Sequence, residues 1–306
     1  MPHARCTKAD QTRSVMTSEA IEVPGSRRST AVNPSRPGSP SGRGILSGRG
    51  AESRLTAEST LAAEARLAAE LAEERHVALE LQRAILPLHD EAFDLPGLRT
   101  MVRYLPASKA GRVGGDWYIT ADMPGGHVLI AIGDVAGHGL AAAAGMARLR
   151  GALAGLAITG SPPERLVGWL NDLVRHVAPE HTASVIAGYF DPVSRTLTWA
   201  QAGHPPPVLV RGSWARPLDP PVGILLGAGE EEYSAAVLAL VPDDLLLLYS
   251  DGLIERRDRS LDEGLAALSG AVRGIADPEL AIDAALRALG STDAEDDTCL
   301  VALRVL

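Results

Sequence analysis

The residues with the clearest chemical potential in this chain are aspartates, and each lies at one end of an apolar run. Asp134 follows Val128–Ile132 in the segment AIGDVAGHGLAAAA. Asp116, Asp251 and the pair Asp296–Asp297 hold similar positions beside other apolar runs. A carboxylate at the end of a buried strand is costly unless it is hydrogen-bonded, paired or bound to a metal. Because these aspartates share one position relative to strands, we expect one acidic cluster at one edge of a sheet structure.

Such a cluster suits hard divalent cations. Mg²⁺ and Mn²⁺ prefer oxygen ligands, keep several waters and need only a few carboxylates. Two such ions held close together activate a water and neutralise a bound phosphoryl group. The glycines beside the aspartates would let backbone and ligand approach closely; they are Gly114, Gly115, Gly133 and Gly252. In the alternative interpretation the aspartates only cap turns and helices, which suits a single Asp-Gly step better than four strand ends.

Charge is unevenly distributed along the 306 residues, whose formal net charge is −9. Residues 1–50 carry eight Lys or Arg and three Asp or Glu, whereas the rest of the chain carries 21 and 35. Phosphate contacts need clustered Lys and Arg, so the acidic body argues against nucleic acid as a partner. No stretch reaches the roughly 18 apolar residues of a membrane span. With only Cys6 and Cys299 there is no disulfide framework, and we expect a cytoplasmic protein with no membrane segment.

Composition divides the chain into three parts. Residues 1–54 are rich in Ser, Gly and Pro and are predicted to be a disordered basic tail. Residues 55–87 change to Ala, Glu, Leu and Arg, which are strong helix formers, and Pro87 ends the run. This helix either forms a dimer with a second copy or packs on the following domain, and either role would suit regulation. Residues 88–306 are predicted to form the catalytic domain.

The catalytic domain contains many strand patterns, and its helices come in adjacent pairs. The helix patterns cover Leu140–Ile158 and Pro163–Val177, then Gly264–Ile275 and Glu279–Leu289. The predicted strands are Leu98–Leu105, Arg112–Thr120, Val128–Ile132, Ser184–Phe190, Thr196–Ala202, Val208–Arg211, Ala235–Leu240, Leu245–Tyr249 and Thr298–Val305. Strict alternation of strand and helix is absent, which indicates an α+β layered domain with antiparallel strands.

Two histidines lie in glycine-containing segments near these strand ends. His138, close to Asp134 in VAGHG, is a candidate to contact a metal-bound water or the leaving oxygen, or else to orient the loop. His204, in AGHPPP, is more simply explained as a structural residue at a corner. Other catalytic patterns, such as a G-x-S-x-G elbow, a phosphate-binding GxxxxGK[ST] loop or paired zinc cysteines, are not present.

Six segments in order resemble the SpoIIE-type serine phosphatases, which belong to the metal-dependent protein phosphatase 2C (PPM) class. They are LQRAILP, RYLPASKAGRVGGDWY, AIGDVAGHGLAAA, ASVIAGYFDPVSRTLTWAQAGHPPPVLV, DLLLLYSDGLIE and DDTCLVALRV. The resemblance covers roughly Leu81 to Leu306. It implies an αββα sandwich, in which helices flank two antiparallel sheets and a two-metal site lies at one edge.

The resemblance also implies which residues hold the two Mn²⁺ or Mg²⁺ ions. The ligands would be Asp116, Asp134, Asp251, Asp296 and the backbone carbonyl of Val135. Asp297 is the alternative to Asp296. Family members often have an acidic residue after Trp-Tyr, where this chain has an isoleucine at position 119.

The activity implied is direct hydrolysis of phosphoserine or phosphothreonine by a metal-activated water, with catalytic roles for Asp116, Asp134, Asp251 and His138. In this family the typical substrate is a phosphorylated anti-sigma-factor antagonist, a small protein of a partner-switching pathway. Two alternatives stay open. One is a catalytically silent PPM-fold module that only binds signalling partners, and the other is a hydrolase for a small phosphorylated metabolite.

Overall fold

The computed structural model describes residues 48–87, 91–106, 114–230, 232–256, 259–289 and 296–306, with side chains from residue 60 onward. The chain divides into two units, Met1–Leu55 and Thr56–Leu306. Most of the predicted tail therefore lies outside the described residues. The first helix, α1, spans Gly48–Ile85, so it begins within residues 1–54 and ahead of the predicted start at residue 55. No Gly or Pro occurs between residues 51 and 86, and Pro87 prevents the helix from continuing.

Eleven strands and four further helices follow α1 in the described residues. The helices are α2 (Leu140–Ala157), α3 (Pro163–Val177), α4 (Leu261–Val272) and α5 (Pro278–Leu289). The strands are β1 (Phe93–Leu95), β2 (Leu98–Leu105), β3 (Trp117–Asp122), β4 (Val128–Val135), β5 (Ala183–Asp191), β6 (Thr196–Ala202), β7 (Val208–Arg211), β8 (Trp214–Pro217), β9 (Ala235–Ala239), β10 (Leu245–Tyr249) and β11 (Thr298–Val305). A single 3₁₀ turn, Asp251–Leu253, follows β10.

The strands form two antiparallel sheets. One sheet has the order β1-β2-β11-β10-β7-β8, and the other has the order β3-β4-β5-β6-β9. Helices α2 and α3 contact strands β3 to β6, whereas α4 and α5 pack on each other and contact β2, β8 and β11. The layers are therefore helix pair, sheet, sheet and helix pair, which is the predicted αββα sandwich.

Side chains alternate along the central strands, so one strand contributes to two cores. In β10, Leu246 and Leu248 join the core between the sheets, while Leu245, Leu247 and Tyr249 face α4 and α5. Successive side chains of a strand point to opposite faces, so a strand covered on both faces is apolar at every position. This explains the uninterrupted LLLLY sequence of β10.

The observed strands differ from the predicted ones near the aspartates. β4 continues through Asp134 to Val135, because both residues pair with β5 in register with Ser184 and Ala183. β3 begins at Trp117, later than the predicted residue 112. Residues 107–113 lie outside the described part of the chain. Strands β1 and β8 were not predicted. Within the described residues, no helix is both long and apolar enough to cross a membrane.

Candidate metal centre

Strand pairing brings the aspartates to one edge of the sandwich. Trp117 at the start of β3 pairs with Gly133 near the end of β4, so Asp116 and Asp134 become neighbours in one sheet. In the other sheet, Tyr249 at the end of β10 pairs with Leu300 near the start of β11. Antiparallel pairing therefore places Asp251 beside the Asp296–Asp297 pair, and the two sheets present their acidic ends at the same edge.

Asp116 is a deeply buried candidate ligand, with only 2% of its surface exposed. Burial raises its pKa well above the ordinary value, the charge of Asp134 raises it further, and a hydrogen bond from Ser250 opposes the shift. The Ser250 hydroxyl donates to Asp116 Oδ2 at 2.5 Å and accepts from the Cys299 backbone N–H at 2.9 Å. Ser250 thus fixes the Asp116 carboxylate against β11.

Asp134 and Asp251 experience the same two effects. Burial raises the pKa of Asp134 from 3.8 to about 7, and the charges of Asp251 and Asp296 add to the shift. Burial also raises the pKa of Asp251 to about 6, followed by the charges of Asp296 and Glu255. Each aspartate therefore resists ionisation, first because it is buried and second because its neighbours are also acidic. A bound cation would relieve this repulsion by favouring the ionised carboxylates.

Asp296 and Asp297 have different environments although they are adjacent. Asp297 is 2% exposed, and its Oδ2 accepts hydrogen bonds from the Gly114 backbone N–H at 2.8 Å and from Gln82 Nε2 at 3.1 Å. The Tyr104 hydroxyl also donates to this oxygen. Asp296 is exposed, and its charge acts on both Asp134 and Asp251. Asp297 is thus engaged by protein donors, and its charge also acts on Asp116 and Asp134. The choice of Asp296 over Asp297 as the ligand stays a prediction.

Two glycines allow the backbone to approach closely at this edge. A Cβ added to Gly115 would lie 2.1 Å from the Val135 carbonyl oxygen, and one added to Gly252 would lie 2.0 Å from the Asp297 carbonyl oxygen. No side chain fits in either space. The close contact at Gly115 places the Val135 carbonyl, a predicted ligand, next to the residue that precedes Asp116.

The two candidate histidines occupy different environments. His138 is exposed on the loop between β4 and α2, and its catalytic role stays a prediction. His204 is buried, with Nδ1 2.6 Å from Ser184 Oγ and Nε2 3.1 Å from the Tyr249 carbonyl. A carbonyl can only accept, so Nε2 carries the proton and Nδ1 accepts from the serine. Burial lowers the pKa of His204 to about 3, so the ring is neutral and joins β5 of one sheet to β10 of the other.

Comparison with known proteins identifies the family. The family model described as Stage II sporulation protein E (SpoIIE) matches residues 124–306. The chain belongs to the SpoIIE family. A structure of the RsbU and RsbW domains of a Mycobacterium tuberculosis protein is 31% identical, with a TM-score of 0.63 over 69% of this chain. The match spans 60% of that protein's solved chain.

Two further structures share the fold at lower identity. The phosphatase domain of Bacillus subtilis SpoIIE, solved with a fragment of its regulatory domain, is 16% identical with a TM-score of 0.57, over 86% of this chain and 100% of that one. RsbX in complex with magnesium is 15% identical with a TM-score of 0.56, over 71% of this chain and 99% of that one. The αββα sandwich is therefore the fold shared with PP2C-type serine/threonine phosphatases.

Three polar residues at the site of this SpoIIE-family chain were not singled out by sequence reasoning. They are Ser250, which holds Asp116, and Tyr104 and Gln82, which hold Asp297. Each contacts an aspartate distant in sequence, which no local pattern reveals. The motifs that carry the family resemblance contain all three, so membership of a motif was the available signal.

The donor set fits hard divalent cations. All the predicted ligands are oxygen atoms, and Mg²⁺ commonly keeps several waters and uses only one or two carboxylates. Among the described residues, no three Asp, Glu, His or Cys side chains are arranged to enclose one ion by themselves.

We expect Gly115→Ala to disrupt the centre. Its Cβ would meet backbone atoms of Val135, which cannot move without shifting β3 from β4. The expected loss is about 1–3 kcal/mol in the free energy of unfolding, together with loss of stabilisation by Mn²⁺ in thermal melts. The matched control is Gly151→Ala on α2, which has open space around it and should be neutral or stabilising by up to about 1 kcal/mol. Equal behaviour of the two variants would contradict the close-approach argument.

We also expect the metal-free protein to become more stable as the pH falls from 8 toward 5. The folded-state pKa values of Asp134 and Asp251, about 7 and about 6, exceed the ordinary value of 3.8. Their contribution to stability is thus fully present below about pH 4 and lost as the pH rises through about 7. Urea unfolding in the presence of a chelator measures this change, and Asp134→Asn should reduce it. A flat or opposite pH profile of the wild type would contradict the repulsion described here.

Proposed function

We propose that this chain is a metal-dependent protein phosphatase that hydrolyses phosphoserine or phosphothreonine on a small signalling protein. The observation that carries this proposal is the convergence of strand-end aspartates from two sheets. In three of them, Asp116, Asp134 and Asp251, burial and the charges of neighbouring aspartates raise the pKa. Such mutual repulsion suits a site that functions with cations bound. A cytoplasmic location is part of the proposal, which the buried free thiol of Cys299 supports.

The proposed cofactors are two Mn²⁺ or Mg²⁺ ions. Asp116, Asp134, Asp251, Asp296 and the Val135 carbonyl would hold them, and the magnesium complex of RsbX, which has the same fold, supports this choice. When bound, the ions would acidify a water and offset negative charge on the phosphoryl oxygens.

The protein's own residues would orient these groups. Ser250 holds Asp116 toward the site through its hydroxyl. Asp134 and Asp251 line a cleft that is open to solvent, so a phosphorylated side chain can reach them from outside. His138, on the exposed loop that follows β4, is proposed to assist at the leaving oxygen. No covalent phosphoenzyme is required in this scheme, because the attacking group is water.

The proposed substrate is a phosphorylated anti-sigma-factor antagonist. The Mycobacterium tuberculosis relative is 31% identical and its structure contains both an RsbU and an RsbW domain, which supports a partner-switching role for this chain. A catalytically silent binding module is the competing proposal, although every predicted aspartate ligand is present. A small-metabolite hydrolase is the third, and comparing turnover of a phosphoserine protein with that of free phosphoserine separates it from the first.

Asp116→Asn and Asp251→Asn should abolish phosphate release. Each removes one negative charge from the centre, and losing a ligand should cost more than the roughly 10–100-fold effect of losing an outer-shell partner. The assay is Mn²⁺-dependent phosphate release from p-nitrophenyl phosphate and from a phosphorylated antagonist-type protein. Asp122→Asn, at the exposed far end of β3, is the matched control and should retain wild-type rates. A folded, metal-binding wild type without release from either substrate would favour the silent module.

Helix α1 is proposed to regulate this activity. Ala78, near the C-terminal end of α1, and Leu86, the residue after the helix, are buried in the core. The Gln82 side chain donates hydrogen bonds to the side chains of Tyr104 and Asp297. The helix is thus hydrogen-bonded to the residue that precedes β11 and adjoins Asp296. A movement of α1 would alter that contact directly.

The preceding turns of α1 present a short apolar stripe of two leucines. Leu67 and Leu71 lie four residues apart on one helix face and are 57% and 56% exposed. We propose that this stripe within residues 55–87 pairs with the same stripe of a second copy to form a homodimer. Burying such leucines in a helix pair is favourable because it removes apolar surface from water.

Replacing both leucines, as Leu67→Glu with Leu71→Glu, should convert the homodimer to a monomer by placing charges in the helix pair. Light scattering coupled to gel filtration measures the mass. Leu280→Glu on α5, where the leucine is similarly exposed at 57%, is the control and should stay dimeric. A monomeric wild type would refute the dimer, whereas a monomeric variant with an altered rate of phosphate release would also support regulation through α1.

A further inference from the structure

A cleft of about 600 Å³ adjoins the acidic centre. Asp134 and Asp251 lie among its lining residues, and most of the remaining lining is apolar. The apolar part is formed by Pro205, Pro206, Leu225, Ile254, Leu261 and Leu265. Cavities of roughly 300–1,000 Å³ bury whole drug-sized ligands. The cleft therefore has room for a phosphoserine side chain and for a neighbouring residue of the same segment.

One wall of the cleft is held rigidly by hydrogen bonds. Leu226 exchanges two backbone hydrogen bonds with Ala183, at 2.9 and 3.2 Å, beside the end of β5. The Gly227 N–H donates to Asn171 Oδ1 at 2.8 Å, and Gln201 Nε2 donates to the Pro221 carbonyl at 2.8 Å. Leu225 lies within this tethered segment and is nevertheless 42% exposed. The hydrogen bonds of this segment thus hold the Leu225 side chain at the surface of the cleft.

Another part of the lining presents a second exposed leucine. Leu261 is the first residue of α4 and is 52% exposed, and Ile254, also in the lining, is buried. A capping box between Ser260 and Glu263 fixes the start of the helix, because each residue's side chain bonds the other's backbone N–H. Both parts of the lining therefore present aliphatic side chains beside Asp134 and Asp251.

Charge at the cleft restricts what can bind next to the phosphate. Among the described residues, its lining includes Glu255 and Asp262 besides the two aspartates, and no Lys or Arg. An acidic residue beside the phosphoserine would be repelled there. An aliphatic residue would instead remove the exposed leucine surface from water.

We propose that this cleft selects phosphoserine segments that carry a large aliphatic side chain beside the phosphoserine, with Leu225 and Leu261 as the specificity-determining residues. The inference rests on the proposed phosphatase function. The phosphate lies at the aspartates, and the neighbouring aliphatic side chain lies between the two leucines. The partner is therefore a phosphoprotein whose phosphorylation site is apolar on at least one side.

The test uses two phosphoserine peptides that differ only in having leucine or serine at the positions flanking the phosphoserine. Fluorescence anisotropy with Mn²⁺ measures the affinity of each peptide, so the result does not require turnover. The wild type should bind the leucine peptide at least about 10-fold more tightly, as expected for aliphatic groups in a hydrophobic pocket. Leu225→Ser and Leu261→Ser, singly and together, should reduce that preference, to under about 3-fold in the double variant.

The control is Leu280→Ser, which lies on α5 outside the cleft and should keep the wild-type preference. Thermal melting verifies that each variant is folded. A wild type without preference, or a folded double variant that retains it, would overturn the inference. Hydrolysis of p-nitrophenyl phosphate by the wild type is measured in parallel: its absence counts against the phosphatase function, whereas its presence without peptide preference counts against the cleft assignment alone.

Discussion

Repulsion between buried carboxylates is the constraint on which the arrangement of this protein depends. Five aspartates meet where two sheets end, and burial already disfavours the charged forms of three of them, Asp116, Asp134 and Asp251. The fold accommodates them by surrounding the most buried two with donors. Ser250 satisfies Asp116, while Tyr104, Gln82 and the Gly114 backbone satisfy Asp297. Asp134 and Asp251, which are less buried than those two, line the cleft.

Much of the fold could be predicted because the strands are locally distinctive. Continuous apolar runs identified β10 and β11, and β2, β6 and α3 have the predicted bounds. Two strands escaped prediction for physical reasons. β1 has only three residues, and β8 has alternately exposed positions and ends at Pro217, so both owe their structure to pairing with a neighbour. β4 extends to Val135 because pairing with β5 overrides the Gly-Asp step that suggested a turn.

The candidate site, like the fold, was predictable only where the signal is local in sequence. Which aspartates converge was inferable from their shared position at strand ends, since antiparallel pairing gathers such ends. The family resemblance favours Asp296 over Asp297 as the ligand, but the surroundings of Asp297 could not be predicted, because its partners, such as Gly114, are more than 180 residues away. Gln82 shows the same limit: its role depends on where α1 docks, which a helical pattern does not specify.

His204 fixes the distance between the two sheets at the acidic edge. The ring spans from Ser184, the cross-strand partner of Asp134, to Tyr249, two residues before Asp251. A planar imidazole has a fixed width, so the two sheets cannot slide apart at this edge without leaving buried polar groups unbonded. Burial lowers the pKa of His204 to about 3, so Nδ1 still accepts from Ser184 at a pH where Asp134 and Asp251, with pKa values of about 7 and about 6, are protonated. The separation of the two acidic strand ends is therefore set by a residue that is not itself one of the acidic side chains.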